Sequence, residues 1–424
     1  MTQQHPVLVI GAGPIGLAAA AQLHERGEPF VVLEAGQTAA AAVASWQHVR
    51  LFSTWRYNIA PAARRLLAAP SCAGSEWQEP RETRLPTGSE LIDEYLAPLA
   101  AHPAIAPRLR LGHRVTHVSR VTSAAETVDK TRSTGRAASL FLVRAETATG
   151  PTDFTARAVI DASGTWSTPN PVGRSGIPAI GEAGARDAGL VTGPLPDVLG
   201  ADRSQFARRT TLVLGSGHSA ATTLIALGRL RQQEPDTRIL WGIRGEATPD
   251  RLYGGGAADE LPARGQLGAS LRRLVESGGA SVLEHVSVTG LRAGNRLTVT
   301  LADGRELQVD RLVPATGFRP DLGILSELRL ALDDAVDAPH ALGPLIDPEF
   351  HSCGTVSAHG ARELAHPEPG FFIVGSKSYG RAPTFLLATG YEQVRSVVAA
   401  LAGDDAEAAA VELTLPRTGV CTAS

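Results

Sequence analysis

Val7-Leu8-Val9-Ile10-Gly11-Ala12-Gly13-Pro14-Ile15-Gly16 decides the fold of this chain. Four apolar residues read as a buried strand, and the glycines that follow open an alanine-rich helix. Gly11 permits the tight turn, Gly13 lets the backbone approach a pyrophosphate, and Gly16 lets the helix pack against the strand. The free amides and positive end of that helix then face phosphate. Gly11, Gly13, Pro14, Ile15 and Gly16 are therefore the candidate phosphate-binding residues. A second apolar strand, Phe30-Val31-Val32-Leu33, runs into Glu34-Ala35, where a carboxylate can accept the hydrogen bonds of a ribose diol.

The pattern returns about 200 residues later as Thr211-Leu212-Val213-Leu214-Gly215-Ser216-Gly217-His218-Ser219-Ala220. Ala220 stands where the third glycine would be, a tolerated variant. Gly215, Gly217, His218, Ser219 and Ala220 form the second candidate cradle. The helix is predicted from about 219 to 233, and the next strand is Arg238-Ile239-Leu240-Trp241. No acid ends that strand. Arg244 follows instead, placed where a guanidinium can hold a 2′-phosphate and favour NADPH over NADH. The other reading leaves Arg244 as a solvated loop arginine and gives the ribose to Glu246. Two turns imply two dinucleotides, and predict an α/β fold with two Rossmann-like dinucleotide-binding domains.

A chain of 424 residues has room for two or three domains. Its net charge of −3 lacks the electrostatic footprint of a nucleic-acid binder. No apolar run reaches the length of a membrane span. Met1–His5 leads straight into the first strand, so no signal peptide and a cytoplasmic location are expected. The three cysteines, Cys72, Cys353 and Cys421, include no CxxC pair, which argues against electron transfer through a resident dithiol. They either converge on a soft ligand or are inert thiols.

Between the turns the chain reads as an irregular stretch over 46–87, a helix near 89–101, and strands near 108–121, 140–146 and 156–160. The polar segment 122–138 reads as an exposed hairpin or mobile loop, and Gly- and Pro-rich 170–205 as a linker. Strands near 282–288, 297–301 and 311–314 complete the second nucleotide domain. A strand Phe371-Phe372-Ile373-Val374-Gly375 and a helix near 384–401 return to the first. Gly254-Gly255-Gly256 marks either a lid or a plain surface loop.

On these pieces the chain resembles the two-dinucleotide-binding flavoproteins, and in particular the class B flavin monooxygenases, which include flavin-containing, Baeyer–Villiger and N-hydroxylating enzymes. Asp161-Ala162-Ser163-Gly164-Thr165-Trp166-Ser167-Thr168-Pro169 and Ala315-Thr316-Gly317-Phe318-Arg319-Pro320 resemble that group's two ATG-type strand ends. Gly215–Ala220 resembles its NADPH turn, including Ser219. The resemblance implies an FAD domain interrupted by an NADPH domain. Residues 1–170 are then the first part of the FAD domain, 171–205 the linker and 206–318 the NADPH domain; 319–424 hold the rest of the FAD domain and a tail.

Two further segments carry the flavin environment by resemblance. Ser45-Trp46-Gln47-His48-Val49-Arg50-Leu51-Phe52-Ser53 is similar to the stretch along the isoalloxazine, and Tyr57-Asn58-Ile59-Ala60-Pro61 to the TNxP-type segment. Tyr57 replaces the threonine there, and the spacing to Pro61 is one longer. Gly375-Ser376-Lys377-Ser378-Tyr379-Gly380-Arg381-Ala382-Pro383-Thr384 resembles the turn that contacts the flavin pyrimidine and ribityl chain. Trp46, Arg50, Gly164, Thr316, Gly317, Gly375, Lys377, Pro383 and Thr384 thereby join the expected cofactor-binding set, with Arg50 and Asn58 as expected catalytic residues. The Baeyer–Villiger fingerprint is missing: Gly176–Gly184 holds neither Phe nor His.

The implied activity uses FAD, NADPH and O2 to oxygenate a soft heteroatom (N, S or a metalloid) of a small molecule through a C4a-peroxyflavin. A reductase or oxidase without oxygenation, and a redox sensor without turnover, are the alternatives. His351-Ser352-Cys353-Gly354 through His359, with His366-Pro367-Glu368-Pro369, reads as a structural loop, a substrate contact or a metal site. His351, Cys353 and Tyr379 are the expected substrate residues. Gly375–Pro383, the 351–360 loop and the tail around Cys421 also resemble bacterial flavoproteins encoded with arsenic-resistance genes, which would make a trivalent arsenical the substrate.

Overall fold

The computed structural model describes residues 5–69, 77–131, 134–253, 262–349, 358–382 and 385–413. The chain divides into two compact units. Of the described residues, those up to 167 and those from 320 onward form the first, and those of 168–319 form the second.

In the first unit, β1 (Val7–Ile10), helix α1 (Pro14–Glu25) and β2 (Phe30–Leu33) form the expected βαβ unit. With β3 (Leu109–Arg110), β7 (Ala158–Asp161) and β15 (Phe371–Ile373) they build a parallel sheet in the order β15-β7-β1-β2-β3. The chain leaves β1 toward β2, while β7 lies on its other side, so the order in which strands are added reverses between β1 and β7, the usual ligand position in such sheets. Register sets Ile10 beside Asp161 and Asp161 beside Ile373, so three strand ends and their loops converge on one edge. Ala18–Ala21 of α1 are buried, and their small side chains let α1 pack closely on helix Leu387–Leu401. A separate antiparallel sheet of β4 (Arg114–Val121), β5 (Leu140–Thr147) and β6 (Gly150–Ala156) completes this unit.

The second unit repeats the plan. Parallel strands run in the order β10-β9-β8-β14, with β8 Thr210–Leu214, β9 Arg238–Gly242, β10 Ser281–Leu283 and β14 Arg311–Pro314. Helix α2 (His218–Gln233) follows β8. An antiparallel sheet of β11 (Val288–Arg292), β12 (Leu297–Leu301) and β13 (Glu306–Val309) accompanies it.

Several local readings change. The stretch 46–87 carries helices at Trp55–Asn58 and Pro61–Ala68. The strand expected over 282–288 is two, broken where His285 takes φ +53°. Residues 171–205 are folded into the second unit rather than strung out as a linker. Val172, Ala179, Ala185 and Leu190 join its core, and the buried Glu182 carboxylate accepts from Val172 N and Ala179 N. In the polar segment 122–138, Arg136 is 3% exposed because it reaches Glu368, which accounts for the Glu of the 366–369 motif as structure.

Candidate functional site

At the first turn, Gly11 has φ +96°, and a Cβ there would stand 2.9 Å from Ala162 O. A Cβ on Gly16 would come within 1.9 Å of Gly11 O, which is the close helix–strand approach in numbers. At Gly13 a Cβ would meet nothing within 4 Å. That glycine is needed for space outside the chain, not within it. Gly13 is also the N-cap of α1 with no side-chain cap, which leaves the first-turn amides for an outside acceptor. Pro14 begins the helix and Ile15 is 6% exposed. Ile15 is wedged against Gly375 and Gly390, where added Cβ atoms would come within 3.1 and 2.5 Å of it. Glu34 accepts from Ala12 N at 2.6 Å through one oxygen and from Gly36 N at 2.7 Å through the other. Each oxygen keeps a lone pair for a ribose hydroxyl, beside half-buried Ala35.

The second turn has the same anatomy. Gly215 has φ +118° and sits so near Ala315 O that a Cβ would come within 2.0 Å; at Gly217 it would meet nothing within 4 Å. Ala220 is fully buried, and half-buried His218 and Ser219 begin α2. Trp241 Nε1 donates to Gly215 O at 2.7 Å, a brace the sequence reading missed. Arg244 and Glu246 are both exposed just beyond β9. Past β14, Gly317 has φ +84°, and Asn170 grips its neighbour from both sides. Asn170 Nδ2 donates to Thr316 O at 3.0 Å, and Thr316 Oγ1 donates to Asn170 O at 2.9 Å. Both turns thus fit a dinucleotide pyrophosphate: each needs its first glycine for the fold and leaves the second open.

In the first unit, Trp46 lies 6.4 Å from Trp166, centroid to centroid. The Trp46–Leu51 stretch is pinned to 86–89, since Leu51 N donates to Pro86 O and Gly88 N to Val49 O. Gly88 is required because a Cβ there would be 2.8 Å from Gln47 Cα. Thr87 and Glu90 close a capping box, whose T-x-x-E spacing was a readable signal that the sequence reading missed. The Thr87 amide holds the Glu90 carboxyl below its ordinary value. Arg50 is exposed and donates to Leu85 O at 2.5 Å.

Three expected contacts are placed differently. Each of the three is buried and held by protein neighbours. Asn58 is 0% exposed: Ser53 Oγ donates to its Oδ1 at 2.9 Å, its Nδ2 donates to Ser53 O at 2.8 Å, and Tyr391 OH donates to its carbonyl. Lys377 is sealed with Asp161, Nζ to Oδ2 2.7 Å, and reaches Ser163 Oγ at 3.2 Å. Tyr379 is buried between His359 and Phe385, and burial raises its hydroxyl well above the ordinary range. Gly164, φ +71°, faces Ser376 Oγ, so the loop after β7 abuts the Gly375 turn. Pro383, Thr384, His351, Cys353, Cys72, Cys421 and Gly254–Gly256 lie outside the described residues. Among the described residues, no helix is long and apolar enough to cross a membrane.

Solved structures share this architecture. Bacillithiol disulfide reductase from Bacillus cereus superposes with a TM-score of 0.64 at 18% identity, covering 95% of this chain and 99% of that one. Flavin-containing monooxygenase from Stenotrophomonas maltophilia gives 0.55 at 20% identity, covering 94% and 98%. Ornithine N-hydroxylase from Kutzneria gives 0.57 at 15% identity, covering 94% and 100%. No curated protein matches the sequence. The model of the pyridine nucleotide-disulphide oxidoreductase family matches residues 5–338. With two cradles of the right shape and that match, the chain belongs to the pyridine nucleotide-disulphide oxidoreductase family, as a flavin-dependent oxidoreductase whose cofactors are FAD and NADP(H).

Proposed function

We propose that this protein is an FAD- and NADPH-dependent monooxygenase that oxygenates a soft heteroatom of a small molecule with O2, in the cytoplasm. The cysteine pattern carries this reading. A chain with two dinucleotide cradles and no CxxC pair lacks the adjacent dithiol through which such a flavoprotein would reduce a disulfide, which favours passing electrons from the flavin to O2. The amides after Gly13 and the Glu34 carboxylate would hold the FAD pyrophosphate and ribose. Those after Gly217 would hold the NADPH pyrophosphate, with Arg244 on its 2′-phosphate. Bound FAD supplies the redox chemistry by taking a hydride from NADPH and passing the electron pair on. Trp46 and Trp166 offer the apolar wall that excludes water, and exposed Arg50 is the cation able to meet negative charge there.

The closed state of Asn58 favours a second reading. Without that amide at hand, the same two cofactors serve as an NADPH-dependent reductase or oxidase that oxygenates nothing. Stopped-flow absorbance separates the two when the NADPH-reduced protein meets oxygenated buffer. A transient band distinct from oxidised and reduced flavin, held while NADP+ is bound and discharged by an amine, sulfide or trivalent arsenical, is expected of the monooxygenase. Direct return to oxidised flavin with stoichiometric peroxide, whatever is added, refutes it.

A further inference from the structure

We propose that His359 is a positioning residue for the flavin, acting through Gln393 on the Gly375 turn. This rests on the assignment of that turn to the flavin by resemblance. His359 lies in the His-rich segment that the sequence singled out and that no part of the proposed chemistry uses.

Hydrogen-bond polarity fixes the arrangement from one backbone amide outward. Gly375 N–H can only donate, and it donates to Gln393 Oε1 at 2.8 Å. The other end of the Gln393 amide is therefore NH2, with two hydrogens to place. One goes to Ser378 Oγ at 2.9 Å, whose own proton goes to Gly375 O at 2.7 Å. The second meets His359 Nε2 at 2.9 Å. That nitrogen must carry a lone pair, so the imidazole is neutral with its proton on Nδ1. Flipping the Gln393 amide would set NH2 against the Gly375 N–H, donor against donor.

Water cannot substitute for a lost partner, because Gln393 and Ser378 are 0% exposed and His359 is 3% exposed. The turn itself is tightly set. Gly375 has φ +72° and stands against Ile15 in the first turn of α1, so a change in Gly375 is felt at the dinucleotide cradle. His359 is thereby the far end of a three-residue brace that orients the turn: imidazole, Gln393 amide, Gly375 backbone.

Reach provides the test. His359→Gln places an amide oxygen near the position of Nε2, whereas His359→Asn has the same chemistry but stops short. Apo-protein is titrated with FAD by fluorescence, and thermal unfolding is recorded with and without FAD. His359→Asn is expected to weaken FAD about tenfold, the loss of one buried hydrogen bond, and to shrink the FAD-induced thermal shift. His359→Gln is expected to stay within about threefold of wild type. Equal losses of stability with and without FAD at unchanged affinity would make His359 merely structural and sink the proposal. Equal weakening by both variants would sink the role of the Nε2 acceptor. Gly13→Ala serves as the reference. If it loses FAD while His359→Asn binds like wild type, the cradle stands and the brace fails. If wild type itself binds no FAD, the underlying reading fails first. Circular dichroism checks that each variant folds, and either histidine variant alone still reads the brace against wild type.

Discussion

Three glycines within six residues should respond to the same substitution in two different ways. Gly13→Ala adds a methyl where nothing lies within 4 Å, at an ordinary φ of −76°. Its folding cost is that of a poorer N-cap, on the order of 0.5–1 kcal/mol, so the melting temperature should fall by only a few degrees. The methyl occupies the space through which the pyrophosphate would approach the first-turn amides. Losing two charge-assisted hydrogen bonds there, at about 1.5–3 kcal/mol each, predicts FAD binding weaker by at least about a hundredfold. Gly11→Ala and Gly16→Ala injure the fold instead. Gly11 has φ +96° with Ala162 O 2.9 Å from the new Cβ, and at Gly16 that Cβ lies 1.9 Å from Gly11 O.

The assay is thermal unfolding of each apo-protein beside FAD titration. A pattern of stable and FAD-blind for Gly13→Ala, against unstable for Gly16→Ala, is required. A Gly13→Ala protein that binds FAD as tightly as wild type would refute the placement of the pyrophosphate. A Gly16→Ala protein as stable as wild type would refute the steric reasoning.

The remaining predictions concern charge. Lys377→Met leaves Asp161 buried and unpaired, and should cost about 3–5 kcal/mol by chemical denaturation; near-normal stability with lost FAD would restore Lys377 as a direct cofactor contact. Burial lowers His366 from 6.5 to about 4, so between those values the unfolded chain binds the extra proton and stability rises with pH. About 3 kcal/mol should be lost on acidifying from pH 7 to 4, the loss falling between pH 6.5 and 4, and His366→Gln should flatten the dependence on urea unfolding curves. Arg244→Gln should erode the preference for NADPH over NADH by about tenfold to a hundredfold in kcat/KM; an unchanged preference removes the 2′-phosphate assignment.

What the sequence made legible was local. The positive φ of Gly11 and Gly215 and the 1.9 Å approach of a Gly16 Cβ to Gly11 O are set within a single strand–turn–helix, so their spacing announces them. The α/β architecture followed from the same two motifs. The direction in which a side chain faces was not legible. Asn58 matches a motif by position, yet its amide is committed to Ser53, five residues away, in a bend that no periodicity encodes. Asn170 with Thr316, and His359 with Gln393, meet across 146 and 34 residues. Their polar types were visible, but their pairing depends on a sheet order that one sequence does not state.

Lys377 shows how composition could have supplied the missing direction. Arginine serves nearly every cationic position in this chain, and Lys130 and Lys377 are the two exceptions. Exposed positions accept either cation, so a lysine amid so many arginines calls for a site that a guanidinium cannot fill. At residue 377 the structure supplies one: a sealed space with one carboxylate at 2.7 Å and one hydroxyl at 3.2 Å. A compact ammonium with three donors satisfies that geometry, whereas a planar fork with five donors would leave several unpaired. The turn after β15 is therefore fastened from two sides, by Lys377 to the end of β7 and by Gln393 to the helix behind it. A residue that looked like a ligand contact because of its motif is better understood as part of the frame that keeps Gly375 in place.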